Sequence, residues 1–323
     1  MKKFSHAVLI LILTLVPALT GCGGGGGTPT PIGYTPGQSS VCTVGGVSFT
    51  MRYAPTGSFT SDDNTISGDP NLPGPINVAN AYWIAETEVT YKLWTAVYTW
   101  ATDAARGAYQ YYFQNAGKMG DDSGTGTDQH PATSVNWRDA MVWCNALTEY
   151  YNAQNGTSLA CVYVDNTNAI IRDSRDSNAA VCDNATADST AKGFRLPTSD
   201  EWELAARYKD GSTWTAGNYA SGAAAAYTDA VATAAVAWYH ENSASSTHPV
   251  GEKSANALNL RDMSGNVREW CFDRYPVIFG GSCRILRGGD WSVDADYLQV
   301  GYVDYGNPGD VNVVIGFRPV RTQ

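Results

Sequence analysis

What this chain can fold into is constrained most by the stretch after Cys22, where Gly23 to Gly27 run into Thr28-Pro29-Thr30-Pro31-Ile32-Gly33. A glycine run followed by Pro/Thr alternation offers no side chains for a core, so residues 22–40 read as a flexible tether. Folding is left to residues 41–323, a length that is large for one domain but not excessive.

Before the tether come Met1-Lys2-Lys3 and a charge-poor apolar run from Ala7 to Leu19. A basic start followed by such a run is a secretory signal, expected over residues 1–21. It is too short to cross ~30 Å of hydrocarbon as a helix. The run ends in Leu19-Thr20-Gly21-Cys22, which resembles the bacterial lipobox, whose cysteine is acylated. The expectation is an exported protein anchored through lipid on Cys22, on the outer-membrane cell surface. Each buried methylene of such a lipid contributes ~0.8 kcal/mol. Loss of Lys2 and Lys3 takes the formal net charge from −10 to −12. Such a surface repels nucleic acid, which is excluded as a partner.

Charged residues are only 16% of the chain, against 10 Trp, 19 Tyr and 33 Gly, which suits a loop-rich fold with an aromatic core. Val47 to Met51 alternates and reads as a strand, and Tyr82-Trp83-Ile84-Ala85 leads into Thr87-Glu88-Val89-Thr90. Apolar residues at helical spacing follow from Tyr91 to Trp100, with Thr90 as N-cap. A second helix is expected over Arg138 to Gln154, stopping near Gly156. A third is expected over Ser199 to Arg207, where Thr198 and Glu201 form a capping-box pattern. Ala216 to Ala235 reads as a surface loop. Short strands and turns run from Trp238 onward. Early helices, late short strands and no βαβ alternation give an α+β class.

Beyond Cys22 there are six cysteines: Cys42, Cys144, Cys161, Cys182, Cys271 and Cys283. An even number in an exported chain permits disulfides. Cys161 and Cys182 bracket a polar insert and are the first pair to expect, with buried free thiols as the alternative. Cys144, inside an apolar helical stretch, reads as a free thiol.

Several segments together resemble the formylglycine-generating-enzyme, or sulfatase-modifying-factor, family. They are Thr87-Glu88-Val89-Thr90, His130-Pro131 with Val135-Asn136-Trp137, and Arg195-Leu196-Pro197-Thr198 with Glu201-Trp202-Glu203. His248-Pro249-Val250-Gly251, Asn256 to Leu260, Asp262-Met263-Ser264-Gly265-Asn266-Val267 and Glu269-Trp270 follow. Arg287-Gly288-Gly289 with Trp291 and Gly316-Phe317-Arg318 complete a set in family order. The resemblance implies a C-type lectin fold of the formylglycine-generating-enzyme type: irregular and loop-rich, with few helices and short antiparallel strands.

Catalytic members of that family bind copper through two cysteines after the Arg-Gly-Gly motif, and iron-dependent relatives use a histidine cluster. Residues 290 to 323 hold no Cys, and the only histidines are His6, His130, His240 and His248. No catalytic residue or catalytic cofactor is therefore expected. The resemblance does carry a structural calcium site onto Asp262, the carbonyls of Gly265 and Val267, and Glu269, a hard-oxygen set of the kind Ca²⁺ accepts. Asp262 and Glu269 capping the turn without metal is the alternative. Arg268 stands where the family has Trp.

The segment Asp290 to Val314 is unusual: twenty of its 25 residues are Asp, Tyr, Asn, Ser, Gly or Val, with no Lys, Arg, Glu or Met. Substitution at the adenines of an Asn codon yields such residues and cannot yield Lys, Glu, Gln, Met or Trp. The composition resembles the variable region of a diversity-generating retroelement, about residues 287–321, and the whole chain looks like a spirochaetal variable lipoprotein. Tyrosine with small polar residues is also the chemistry of antibody paratopes.

The expected ligand-binding positions are Asp290, Ser292, Val293, Asp294, Asp296, Tyr297, Tyr302, Val303, Asp304, Tyr305, Gly306, Asn307, Gly309, Asp310, Val311, Asn312, Val313 and Val314. All should face solvent, because core volume changes cost ~2–5 kcal/mol each. Trp291, Leu298, Pro308 and Phe317 should be scaffold. Three functions compete: a surface-displayed binder of an unknown protein or other ligand, a metal-dependent oxidase of the formylglycine-generating or sulfoxide-forming type, and a structural lipoprotein. Fold alone does not choose among them; the missing cysteines and the tail favour the first.

Overall fold

The Tyr34 ring sits edge-on to Trp83 with centroids 5.0 Å apart. The Gly37 N–H then donates to the Tyr53 carbonyl at 2.9 Å. The tether expected to reach residue 40 therefore gives up its last residues to the fold, because an aromatic ring gains more by burial than a spacer gains by freedom. The computed structural model describes residues 33–61, 74–121, 123–124, 126–275 and 282–323. The signal sequence, Cys22 and the glycine run lie outside the described residues.

Strands Ser39–Val44 and Val47–Ala54 form a hairpin across Gly45-Gly46. Both glycines have positive φ, 53° and 75°, as a two-residue hairpin turn demands. Val47–Ala54 pairs with Tyr82–Ala85, which pairs with the C-terminal strand Val320–Thr322, which in turn pairs with Phe194–Arg195. All these pairings are antiparallel, so the chain end closes the sheet that its start opened. A second sheet runs in the order Asp304–Gly306, Arg284–Arg287, Arg268–Arg274, Ile315–Gly316. Its last pair is parallel.

Five α-helices occur among the described residues: α1 Tyr91–Ala101, α2 Trp137–Asn155, α3 Ala179–Asp183, α4 Ser199–Arg207 and α5 Ala230–Ala234. Each long helix starts where a side chain satisfies its first free N–H groups. Thr90 accepts from Leu93 N–H, while Asn136 with Asp139 and Thr198 with Glu201 form reciprocal capping boxes. Gly156 ends α2 in the left-handed conformation. Between α1 and α2, Trp94 stacks on Trp143 at 5.9 Å, and Phe317 packs edge-on to both.

Two expectations fail here. Cys161 and Cys182 are free thiols, each buried. The Cys161 thiol donates to Asn145 O at 3.5 Å and that of Cys182 to Asp173 O at 3.2 Å. The insert needs no staple because Val162, Tyr163, Ile171, Cys182 and Ala191 join the main core. The Ala216–Ala235 segment is more than a surface loop: Ala220 is fully buried, joins a small cluster with Tyr239 and Leu298, and is followed by α5.

Candidate ligand-binding surface

Two glycines open the tail. Gly288 and Gly289 have φ of 96° and 67°, and a Cβ at Gly289 would meet the Tyr297 carbonyl at 2.7 Å. No other residue fits so close to backbone. This turn sends Asp290 inward rather than outward, and its side chain is fully buried. One oxygen of Asp290 accepts from Ser292 N–H and hydroxyl at 2.8 and 2.6 Å. The other lies 2.6 Å from Arg268 Nε.

Tyr302 and Gly306 also turn inward. Arg287 Nη1 donates to the Tyr302 carbonyl at 3.0 Å. Gly306 lies on the strand beside Arg284–Arg287, where a Cβ would meet Trp270 at 2.8 Å. Side chains alternate on a strand, so a run of small polar residues does not reveal which face is covered.

Ser292, Asp294, Tyr305, Asn307, Gly309, Asp310, Val311 and Asn312 stand exposed as expected. Val293, Asp296, Tyr297, Val303, Asp304, Val313 and Val314 are half-buried. Among them Val293, Val303 and Val314 lean on three different core clusters. Of the expected scaffold, Leu298, Pro308 and Phe317 are buried, while Trp291 is only half-buried.

The loop at the tip is held by its own polar groups. Asp310 accepts from Asn307 N–H at 2.7 Å, and the Asn312 carbonyl accepts from Ser134 N–H at 3.0 Å. The Tyr305 ring rests on Tyr275 at 4.7 Å. The result is a fixed backbone presenting a phenol, amides, carboxylates and a valine to solvent, a set suited to adaptable protein or small-ligand recognition.

The residue that sequence reasoning missed is Arg268. Its guanidinium reaches Asp290 on one side and Asp304 on the other, and its N–H donates to Val314 O at 2.9 Å. It ties three points of the tail to the second sheet. The only signal in the sequence was an arginine in place of the family tryptophan, and its partners are too far along the chain to infer.

The two carboxylates of the expected calcium set have protein partners. Both Glu269 oxygens are taken, at 2.6 to 2.9 Å, by Arg318 and by Trp202 Nε1. Asp262 accepts from Gly251 N–H at 2.6 Å, and its carbonyl accepts from Arg318 at 3.0 Å. Gly265 is needed for close approach, since a Cβ there would meet the Trp238 carbonyl at 2.2 Å. Val267 N–H donates to Glu88 at 3.1 Å. The guanidinium of Arg318 supplies the positive charge that a cation would bring. No group of three His, Cys, Asp or Glu converges as metal ligands among the described residues. Burial raises Asp262 to about 6 and raises Glu88 well above the carboxylate range.

Among the described residues, the cysteines are buried, and His130 and His248 are engaged by neighbours. Burial raises the thiols of Cys144, Cys161, Cys182 and Cys271, and Cys283 lies buried beneath Asn307. A thiol is reactive as thiolate, which burial disfavours. His130 Nδ1 lies 3.0 Å from the Thr247 hydroxyl, and His248 stacks on Trp238 with Nε2 on the Ser243 carbonyl at 2.9 Å.

Comparison with known proteins adds the following. The sulfatase-modifying factor enzyme 1-like domain matches residues 37–323. The structure of Treponema denticola variable protein 1 superposes with a TM-score of 0.67 and 32% identity, covering 91% of this chain and 100% of that one. The structure of CarF superposes with a TM-score of 0.66 and 28% identity, covering 85% and 98%. A chaperone protein, LppX of Paenibacillus barcinonensis, is 27% identical over 310 residues, 88% of this chain and 94% of that one. The expected irregular α+β fold is the one these structures share.

Proposed function

This chain belongs to the sulfatase-modifying factor enzyme 1-like domain family, and we propose that it is a non-catalytic, surface-displayed lipoprotein that binds a ligand through its C-terminal segment, which a retroelement diversifies. The observation that carries this reading is the split within that segment. Its exposed residues, Ser292, Asp294, Tyr305, Asn307, Gly309, Asp310, Val311 and Asn312, sit on a backbone fixed by Leu298, Phe317 and Arg268. Exposed positions tolerate exchange within about 0.5 kcal/mol, whereas core positions do not, so such a surface can vary without loss of the fold. Likeness to a structure named as a variable protein and to a relative named as a chaperone fits a binder better than a catalyst. Acylation of Cys22 and display at the outer membrane belong to the same proposal and rest on the Leu-Thr-Gly-Cys sequence.

Two measurements test it. Replacing the exposed residues together should leave the thermal midpoint within a few degrees, since none carries core packing; collapse of the fold would refute the reading. In the encoding DNA, a nearby repeat should differ from the 3′ end only at adenines, and its absence would remove the claim of diversification. The competing oxidase reading predicts that the copper- or iron-loaded domain turns over a sulfatase-derived cysteine peptide, and we expect no turnover.

A further inference from the structure

We propose that a second docking site, separate from the variable tail, lies along the open edge of strand Val47–Ala54, and that it takes an extended, uncharged peptide of another protein as an added strand. None of residues 290–314 lines this site, so it stands apart from the ligand-binding reading above.

Strand Val47–Ala54 is longer than its neighbour Tyr82–Ala85, so its first half is paired on one side only. In an antiparallel hairpin, successive residues aim their backbone groups alternately at the partner strand and away from it. Val44 pairs with Val47 across the two-residue turn, which aims Val47, Phe49 and Met51 at Ser39–Val44. Ser48 and Thr50 then direct their N–H and C=O groups to the other side. There the Thr50 carbonyl accepts from Glu86 N–H at 2.9 Å. The Glu86 carbonyl does not reciprocate, being taken by Arg261 N–H at 2.9 Å and by Arg318 at 3.1 Å. The Thr50 N–H, the Ser48 N–H and the Ser48 carbonyl find no partner among the described residues. Unpaired groups in such a row are a template for another strand.

The residue that would have covered this edge is drawn inward. Continued past Ala85, the register sets Glu88 opposite Ser48. The Glu88 carboxylate is instead buried, accepting from Asn266 Nδ2 at 2.9 Å and Val267 N–H at 3.1 Å. A hollow of about 440 Å³ is left between Ser48 and the start of α1, within the size range of ligand sites.

The walls select the occupant. On one face of the strand, Val47 and Phe49 pack on the main core together with Val89 and Leu93, which gives an apolar floor. On the other face Ser48 is exposed and Thr50 half-buried, and Thr87, Thr90 and Gln129 complete a polar rim. The charged groups of the lining are answered within the molecule. Arg52 lies 2.7 Å from Glu86, Asp128 lies 3.2 Å from Lys92, and Glu88 is held as described. A strand alternating uncharged polar with apolar side chains suits both faces, and its backbone supplies the groups that Ser48 and Thr50 lack. A fatty chain offers that edge no donor or acceptor. A second hollow of about 580 Å³ shares Val47 and Lys92 with the first, so the peptide has room to continue along α1.

The test titrates acetyl-Thr-Val-Thr-Val-Thr-amide into the millimolar range against the full lipid-anchored chain. Saturable binding is expected. Residues directly opposite one another share a face, so the peptide's Thr residues are those that bond to Ser48 and Thr50. N-methylation of the Thr residues should therefore raise Kd by about tenfold or more, the worth of one lost hydrogen bond or more. N-methylation of the Val residues, whose N–H groups point away, should leave Kd unchanged. Ser48→Pro should weaken binding to a similar degree. It removes one edge N–H and an exposed hydroxyl contact with Thr43 but no hairpin bond, and proline is tolerated on an open edge. The thermal midpoint reports whether this variant folds; if it does not, the two methylated peptides decide. No saturable binding, equal binding of the two methylated peptides, or full affinity in folded Ser48→Pro would each overturn the proposal. Self-association of the chain that Ser48→Pro abolishes would make a second copy the occupant and overturn the partner class. None of these results bears on the variable tail.

Discussion

Nη2 of Arg318 lies 2.6 Å from Oε1 of Glu269, and neither side chain exposes any surface. Arg318 also donates to the carbonyls of Ala85, Glu86, Arg261 and Asp262, so one guanidinium joins the first sheet to the loop below the variable tail. Breaking such a pair leaves an uncompensated buried charge. Arg318→Ala should lower stability by about 3–5 kcal/mol in urea unfolding. Because Arg318 already neutralises Glu269, a chelator should leave the thermal midpoint unchanged. A midpoint that rises with added calcium would instead support a metal site there.

Stability should depend on pH through Asp262. Burial raises its carboxyl to about 6 when folded, against about 3.9 when unfolded. The folded state thus holds the proton more tightly. The stability this provides is complete below pH ~4 and is lost as pH rises through ~6. Asp262→Asn keeps an oxygen for Gly251 N–H and removes the titration. The wild-type protein should lose about 2 kcal/mol relative to that variant between pH 4 and pH 6.5, read from urea midpoints. Parallel curves would refute the assignment.

Thiol chemistry should be silent in the native protein. Cys42, Cys144, Cys161, Cys182, Cys271 and Cys283 are buried and unpaired, and burial holds Cys161 and Cys182 at about 12. A neutral-pH disulfide reagent should label none of the six until denaturant is added. Peptide mapping without reduction should find Cys161 and Cys182 free; a linked peptide would reverse this.

Asp290 and Asp294 should behave oppositely despite their shared composition. Asp290 is fully buried against Arg268, whereas the Asp294 side chain is 76% exposed. Asp290→Ala should cost about 2 kcal/mol or more, since it strands a charge and two hydrogen-bond donors. Asp294→Ala should stay within about 0.5 kcal/mol. Equal costs would show that the tail is not divided into anchor and display positions.

Local signals made part of this protein legible without coordinates. Thr90 and the Thr198–Glu201 pair mark helix starts because capping is settled within four residues of chain. The motif series from Thr87 to Arg318 carried the family, since each motif keeps its order whatever the loops do between. The outward tip from Asn307 to Asn312 was legible too, because turn-forming polar residues have nowhere to go but the surface.

Tertiary structure decided what depended on distant partners. Asp290 and Asp304 became anchors only because Arg268, more than twenty residues upstream, reaches both. Gly306 turned inward because Trp270 lies beneath its strand. Glu269 is paired with Arg318, 49 residues on. Cys161 and Cys182 remained apart because the insert found its core in the rest of the molecule. In each case composition and spacing describe what a side chain can do, while burial and charge pairing are properties of neighbours that only the folded chain brings together.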